Sequence, residues 1–276
     1  MIRDITLGQY YPADSILHKL DPRVKLVATI SFLVALFLID SWIGYVVATV
    51  FLAAVIRLSK VPFRFIVRGL KTIFIILMIT LVFNLFLTPG DRVLLQVWKF
   101  RITDQGLRTA IFMAIRLVYL IIGSSIMTLT TTPNDLTDGL ETLLNPLKKL
   151  HVPVHEVAMM MSIALRFIPI LLEGTDKIMK AQIARGADFE SGNLIQKAKA
   201  MIPLLVPLFF SALRRAMDLA LAMEARCYHG GEGRTKMKPL KYESKDRTAY
   251  AVIWIYLAAM IVIGYGRQIY GWIPFI

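Results

Sequence analysis

Apolar residues in this chain form blocks of two textures. In the first, nearly continuous runs cover Leu26 to Ile39, Trp42 to Ile56, Thr72 to Thr88, Thr109 to Leu129 and Ala249 to Tyr265. Such runs predict membrane-crossing helices. The first two are shorter than the about 20 residues a span usually needs, and Asp40-Ser41 parts them, so they read as a tight hairpin of two short spans. In the second texture, from about Val154 to Gly231, apolar positions recur at three and four. One stripe runs Val157, Met160, Met161, Ala164, Phe167, Ile168, with Glu173, Asp176, Lys177 and Lys180 falling elsewhere; another runs Leu205, Leu208, Phe209, Ala212, Leu213, Ala216, against Arg214, Arg215 and Asp218. Two long amphipathic helices are predicted.

These two helices close on the same phrase. One ends Ala184-Arg185-Gly186 and the other Ala225-Arg226-Cys227, with proline earlier in each apolar run: Pro169 in the first, Pro203 and Pro207 in the second. This is a weak internal repeat. Asn193 is placed to cap the start of the second arm and Gly230-Gly231 its end. The join from Asp188 to Gly192 is short, so the arms are expected to be antiparallel or crossing neighbours. Each arginine lies at the C-terminus of its own arm, so folding the arms back sends the two to opposite ends of the pair. From Asn193 to Arg226 the second arm would be roughly 50 Å long. An arginine there is favoured by the helix dipole, and its planar fork can grip a carboxylate, while small neighbours let a partner's backbone approach. Either tripeptide alone reads as an ordinary solvated helix end.

Composition places the arms and spans in one compartment scheme. The chain has 276 residues, 57% of them apolar, and a mean hydropathy of +0.61; this is a membrane protein rather than a soluble domain. Its net charge of +13 lies beside apolar segments, where it orients the chain and meets anionic lipid, so nucleic acid is not expected as a partner. Arg57, Lys60, Arg64, Arg68 and Lys71, and later Lys236 to Lys245, mark cytoplasmic segments. Trp98, Tyr270 and Trp272 read as interface anchors. The single cysteine, Cys227, allows no internal disulfide and fits a reducing side. Some two dozen mostly polar residues precede the first run, which predicts an N-terminus kept in the cytosol. Arg116 lies within a span, where an unpaired charge is expensive, so snorkelling or internal pairing is expected ahead of contact with another subunit.

Candidate chemistry is sparse. Gly230 to Lys236 faintly resembles a phosphate loop, but no strand precedes it and Met237 stands where serine or threonine is needed. His151 and His155 stand four apart with Pro153 between them and no ligand cluster around them. No catalytic residue, cofactor or metal is expected, and the energy for any work must come from a partner.

The opening Ser15-Ile16-Leu17-His18-Lys19-Leu20-Asp21-Pro22-Arg23, the run Leu165-Arg166-Phe167-Ile168-Pro169 and the two Ala-Arg motifs together resemble the transmembrane coupling subunit, or T component, of energy-coupling factor transporters, over nearly the whole chain. The resemblance implies an all-α polytopic membrane protein with about five transmembrane helices and a large cytoplasmic coupling domain of long crossing helices. On that reading 1–133 is an N-terminal membrane region, 134–248 the coupling domain and 249–276 a last span. It also implies two ABC ATPase partners of the EcfA kind docking at Ala184, Arg185, Gly186, Ala225, Arg226 and Cys227. A small membrane substrate-binding S component would contact Met160, Met161, Ala164, Phe167 and Leu171 on one arm and Leu205, Leu208, Phe209 and Leu213 on the other. Such assemblies import vitamins or metal ions through the prokaryotic plasma membrane. Two rivals remain open: the permease domain of a conventional ABC transporter, with its own substrate path, and a polytopic membrane enzyme, which would need an intramembrane cluster of His, Asp or Glu.

Overall fold

A computed structural model describes residues 10–39, 41–87, 93–97, 100–187, 189, 193–231, 237 and 239–269. Outside them lie Trp98, Tyr270 and Trp272, which were expected as interface anchors, most of the Asp188 to Gly192 join, and residues 232–236. The helices are α1 (Pro22–Phe37), α2 (Trp42–Ser59), α3 (Phe63–Leu87), α4 (Asp104–Thr130), α5 (Pro133–Leu144), α6 (Val154–Ala184), α7 (Leu194–Glu224) and α8 (Ser244–Ile269), with a 3-10 segment at Asn145–Leu150. A short antiparallel hairpin, β1 (Val93–Val97) with β2 (Phe100–Thr103), stands where the pattern suggested only a loop. Two strands of five and four residues are too brief for period-two alternation to register. The fold is all-α in substance.

Among the described residues, five helices are long and apolar enough to cross a membrane: Trp42–Ser59, Asp104–Thr130, Val154–Ala184, Lys199–Glu224 and Ser244–Gly264. The number agrees with the expectation and the membership differs. Both arms qualify by length and composition, whereas α1 has 16 residues and the described apolar part of α3, Ile73–Phe86, is short. Charges spaced along an otherwise apolar helix lower its hydropathy less than they widen its polar face, which is why the stripe and the average point in different directions.

The described residues fall into two compact units, one drawn from 10–139 and 240–269 and the other from 140–239. In the first unit α1, α2, α4 and α8 surround a core that includes Phe32, Leu36, Leu52, Ile122, Ile126, Ile253 and Met260. The Phe51 and Tyr256 rings stack at 4.2 Å, and Tyr45 donates its hydroxyl hydrogen to the Phe112 carbonyl at 3.3 Å. Close helix approach comes from small residues, as membrane packing requires: a Cβ on Gly123 would stand 2.6 Å from the Phe32 ring. Arg116 is paired within the unit. Its guanidinium donates to the Ile39 carbonyl at 2.6 Å, just past the end of α1, where the dipole favours a cation.

The opening motif is a clasp. Asp21 caps α1, accepting from the Arg23 amide at 2.9 Å and from its guanidinium at 3.0 and 2.7 Å. The Asp21 amide donates to buried Asp246 at 2.9 Å, and Asp246 also accepts from the Glu243 amide at 2.8 Å at the start of α8. Arg23 lies 3.8 Å over the Tyr242 ring. His18 donates from Nε2 to the Tyr11 carbonyl at 2.9 Å, and its Nδ1 meets the Ser15 hydroxyl at 2.6 Å. In the neutral ring this fixes the proton on Nε2 and makes Ser15 the donor. Lys25 reaches the Thr130 carbonyl at 2.9 Å and the His18 carbonyl at 3.2 Å. The eleven residues from Ser15 to Lys25 thereby tie the beginnings of α1 and α8 to the end of α4.

In the second unit α6 and α7 pack along their lengths, and His155 at the start of α6 meets Glu141 at 2.8 Å. The His151 and His155 pair is therefore a helix boundary, and among the described residues no group of His, Cys, Asp or Glu is arranged to hold a metal.

Candidate functional site

The two Ala-Arg phrases fold into the same local structure. At the end of α6, the Gly186 amide donates to the Ile183 carbonyl at 2.9 Å and the Ala187 amide to the Gln182 carbonyl at 3.0 Å. At the end of α7, the Cys227 amide donates to the Glu224 carbonyl at 2.9 Å and the Tyr228 amide to the Met223 carbonyl at 3.0 Å. Both are paired bonds of the six-to-one and five-to-two kind that close a helix with a left-handed residue. That residue is Gly186, with φ of 86°, in one arm and Cys227, with φ of 54°, in the other. The sequence pattern suggested that Gly230-Gly231 ends the second arm; the turn comes three residues earlier and uses cysteine. Each arginine occupies the residue just before the left-handed one, the last before the chain turns away.

Arg185, Gly186, Arg226 and Cys227 are all exposed. Among the described residues no side-chain partner is seen for either guanidinium. Each sits beside the carbonyl end of a helix of 31 residues, where partial negative charge favours the cation. Five donors in a fixed plane are thus presented to solvent from a rigid base.

The arms run antiparallel. Near one end the Gln182 amide donates to the Pro203 carbonyl at 3.4 Å. That carbonyl would ordinarily bond the amide of residue 207, but Pro207 has none, so a side chain from the opposite arm fills the vacancy. Farther along, Gly174 faces Leu208, and Ile163, Phe167 and Leu171 share a groove with Ala212, Ala216 and Leu219. At the other end Met159 and Ile163 border a basin with Arg226, Cys227 and Tyr228. Arg226 therefore lies level with Met159 and Arg185 lies past the level of Pro203, which separates the two tips by about 40 Å along α6.

The apolar positions named from the stripe divide into two sets. Phe167, Leu171 and Leu208 are half-buried in the seam between the arms, where Phe167 and Leu171 line the groove. Met160, Met161, Ala164, Leu205, Phe209 and Leu213 are exposed, with Phe209 at 65% and Met160 at 58%. Periodicity identifies an apolar stripe but not which of its edges meets the neighbouring helix. The Schellman geometry of the second tip and the Gln182 to Pro203 bond were also invisible to spacing.

The molecule is thus a polytopic all-α membrane protein with two long antiparallel arms that carry matching arginine ends. Its sequence matches the family model described as cobalt transport protein, CbiQ, over residues 13–237. It is similar to proteins described as energy-coupling factor transporter transmembrane protein EcfT. The one from Clostridium kluyveri is 56% identical over 270 residues, covering 97% of this chain and 100% of that protein. The one from Bacillus subtilis is 49% identical over 261 residues, covering 95% and 98%. That from Lactococcus lactis subsp. cremoris is 44% identical over 262 residues, again 95% and 98%. The chain belongs to the CbiQ family, together with these energy-coupling factor transporter transmembrane proteins.

Proposed function

We propose that this chain is the coupling subunit of an energy-coupling factor transporter, which passes ATP-driven motion of two ABC ATPases to a small membrane substrate-binding subunit during uptake of a vitamin or metal ion. The observation that carries this reading is the equivalence of the two helix ends: the same closing turn, the same exposed arginine one residue before it, and opposite ends of one antiparallel pair. Two like tips far apart suit two like receptors. Ala184-Arg185-Gly186 would dock one ATPase and Ala225-Arg226-Cys227 the other, each guanidinium gripping a carboxylate or a helix-end carbonyl in the receptor groove.

On this reading 134–248 is the coupling region, cytoplasmic like the N-terminus, and the remainder of the chain is membrane-embedded. The exposed stripe of Met160, Met161, Ala164, Leu205, Phe209 and Leu213 is the contact for the substrate-binding subunit, since methionine-rich surfaces adapt to a moving partner. Phe167, Leu171 and Leu208 serve by keeping the arms together. Closure of the ATPases on nucleotide draws the tips toward each other, and the packed arms turn that motion into tilting of the subunit above them. Hydrolysis belongs to the partners; this chain contributes geometry.

Purification of the tagged protein from membranes, with identification of what stays bound, tests the reading. Two ATPases and a small apolar protein are expected with the unaltered chain, and loss of ATPase with Arg185→Glu or Arg226→Glu. Full retention of both ATPases and unchanged uptake in the two variants would remove the docking role from the arginines.

A further inference from the structure

The first unit holds a cavity of about 310 Å³ that the coupling reading does not use. Its walls come from α1, α2, α4 and α8, and its chemistry is graded from end to end. At one end stand Lys25, Thr130, Lys245 and Thr248; Lys25 and Thr130 are at the same level because the ammonium donates to the Thr130 carbonyl, and Lys245 adjoins Asp246, which holds the Asp21 amide. At the other end stand Phe32, Phe51 and Gly123, brought together by the Phe32 and Phe51 rings at 5.9 Å and by the close approach of Phe32 to Gly123. Phe32 stands seven residues beyond Lys25 along the helix, about 10 Å. The cavity is therefore an apolar slot with two lysines, Lys25 and Lys245, among the residues that line one end.

The volume lies at the lower end of the about 300–1,000 Å³ that small-molecule sites occupy, and it cannot accept a helix about 10–12 Å across. A free inorganic anion would leave the apolar depth unfilled. Leu58 and Val252 line the slot yet are 47% and 55% exposed, so its wall reaches the outer face of helices that lie in the bilayer. Lys25 uses two of its three ammonium protons on carbonyls, and among the described residues no partner is seen for the third. Among the described residues Lys245 is held by an exposed pair with Glu243 at 3.7 Å.

We propose that this slot binds one anionic phospholipid of the surrounding membrane, an acyl chain lying between α1, α2, α4 and α8 and the headgroup phosphate held by Lys25 and Lys245. Every residue named in its lining belongs to the first unit. Occupancy would fill the space between the clasp at Asp21 and the Phe32 layer, so lipid composition would bear on the stability of this unit.

Native mass spectrometry of the detergent-purified protein, titrated with dioleoyl phosphatidylglycerol, dioleoyl phosphatidylcholine or oleate, tests this. One phosphatidylglycerol adduct per chain is expected, at least about fivefold tighter than phosphatidylcholine, and weakened about fivefold by Lys245→Glu. Ala28→Phe, which fills the slot, should abolish the adduct, while Ala258→Phe on an exposed face of α8 should leave it. Equal binding of the two phospholipids, or a tight adduct that survives both Lys245→Glu and Ala28→Phe, would overturn the site. Binding of oleate without phosphatidylglycerol would overturn the assignment to a membrane phospholipid. Because Lys245 is an exposed side chain, its variant remains informative if Ala28→Phe does not fold.

Discussion

The two arm ends are matched in hydrogen bonding but not in residue, and that difference makes a quantitative prediction. Gly186 and Cys227 both hold positive φ, 86° and 54°. An L residue with a Cβ in this region costs about 1–2 kcal/mol relative to glycine. Glycine in turn gives the unfolded or frayed chain more freedom, which returns about 0.4–1 kcal/mol. Nothing lies within 4 Å of a Cβ built on Gly186, so no steric cost is added, and Gly186→Ala should destabilise the last turn of α6 by about 1 kcal/mol. Cys227→Gly should stabilise the last turn of α7 by a similar amount. The readout is local: the amides of 186 and 187 are the donors that close one arm, and those of 227 and 228 close the other. Hydrogen exchange in the purified membrane protein should quicken about fivefold over the first pair in Gly186→Ala and slow about fivefold over the second in Cys227→Gly. Gly186→Asn, which tolerates the left-handed region better, should fall between. Unchanged exchange at 186 and 187 in the alanine variant, or faster exchange at 228 in the glycine variant, would refute the shared closing turn. On the proposed docking role, ATPase binding retained by Cys227→Gly would further show that the thiol is a substitute at a conformational position rather than a contact.

Three further outcomes follow from the first unit. Arg116→Met removes a charged hydrogen bond to the Ile39 carbonyl and should cost about 2 kcal/mol, seen as a lower thermal midpoint in detergent with Arg116→Lys intermediate. Gly123→Val forces a side chain against Phe32 and should destabilise by about 1–3 kcal/mol, with recovery in the Gly123→Val, Phe32→Leu double variant. The His18 pKa is lowered, chiefly by burial, against a raising bond to the Tyr11 carbonyl. The unfolded chain then binds the proton more readily than the folded one, so the contribution of neutral His18 is complete above about pH 6.5 and is lost as pH falls below it. Thermal midpoints at pH 7.5 and pH 5 should differ more in the unaltered protein than in His18→Gln.

Much of this protein could be read from local order. A run of apolar residues has few fates other than a membrane or a buried core, and a three-and-four stripe with charges elsewhere has few other than a long helix, so the all-α membrane architecture and the two arms followed from the pattern. The short join also made the arms neighbours, antiparallel or crossing; the packed contacts decided for antiparallel. The repeated Ala-Arg phrase marked the tips for the same reason: chain order alone puts each at a helix C-terminus.

Tertiary structure decided what depends on residues far apart in the chain. That Asp21 and Asp246 share one bond network, that Arg116 closes α1, and that Gln182 serves the carbonyl freed by Pro207 are consequences of packing, and no spacing encodes them. The stripe on the arms told which positions are apolar; only the packed pair separated Phe167, Leu171 and Leu208 in the seam from the exposed Met160 and Phe209. The end of α7 shows the limit most plainly. Glycine is the usual signal for a left-handed cap, so the pattern pointed to Gly230-Gly231. The helix turned at Cys227, where two backbone bonds stabilise a conformation that cysteine by itself disfavours.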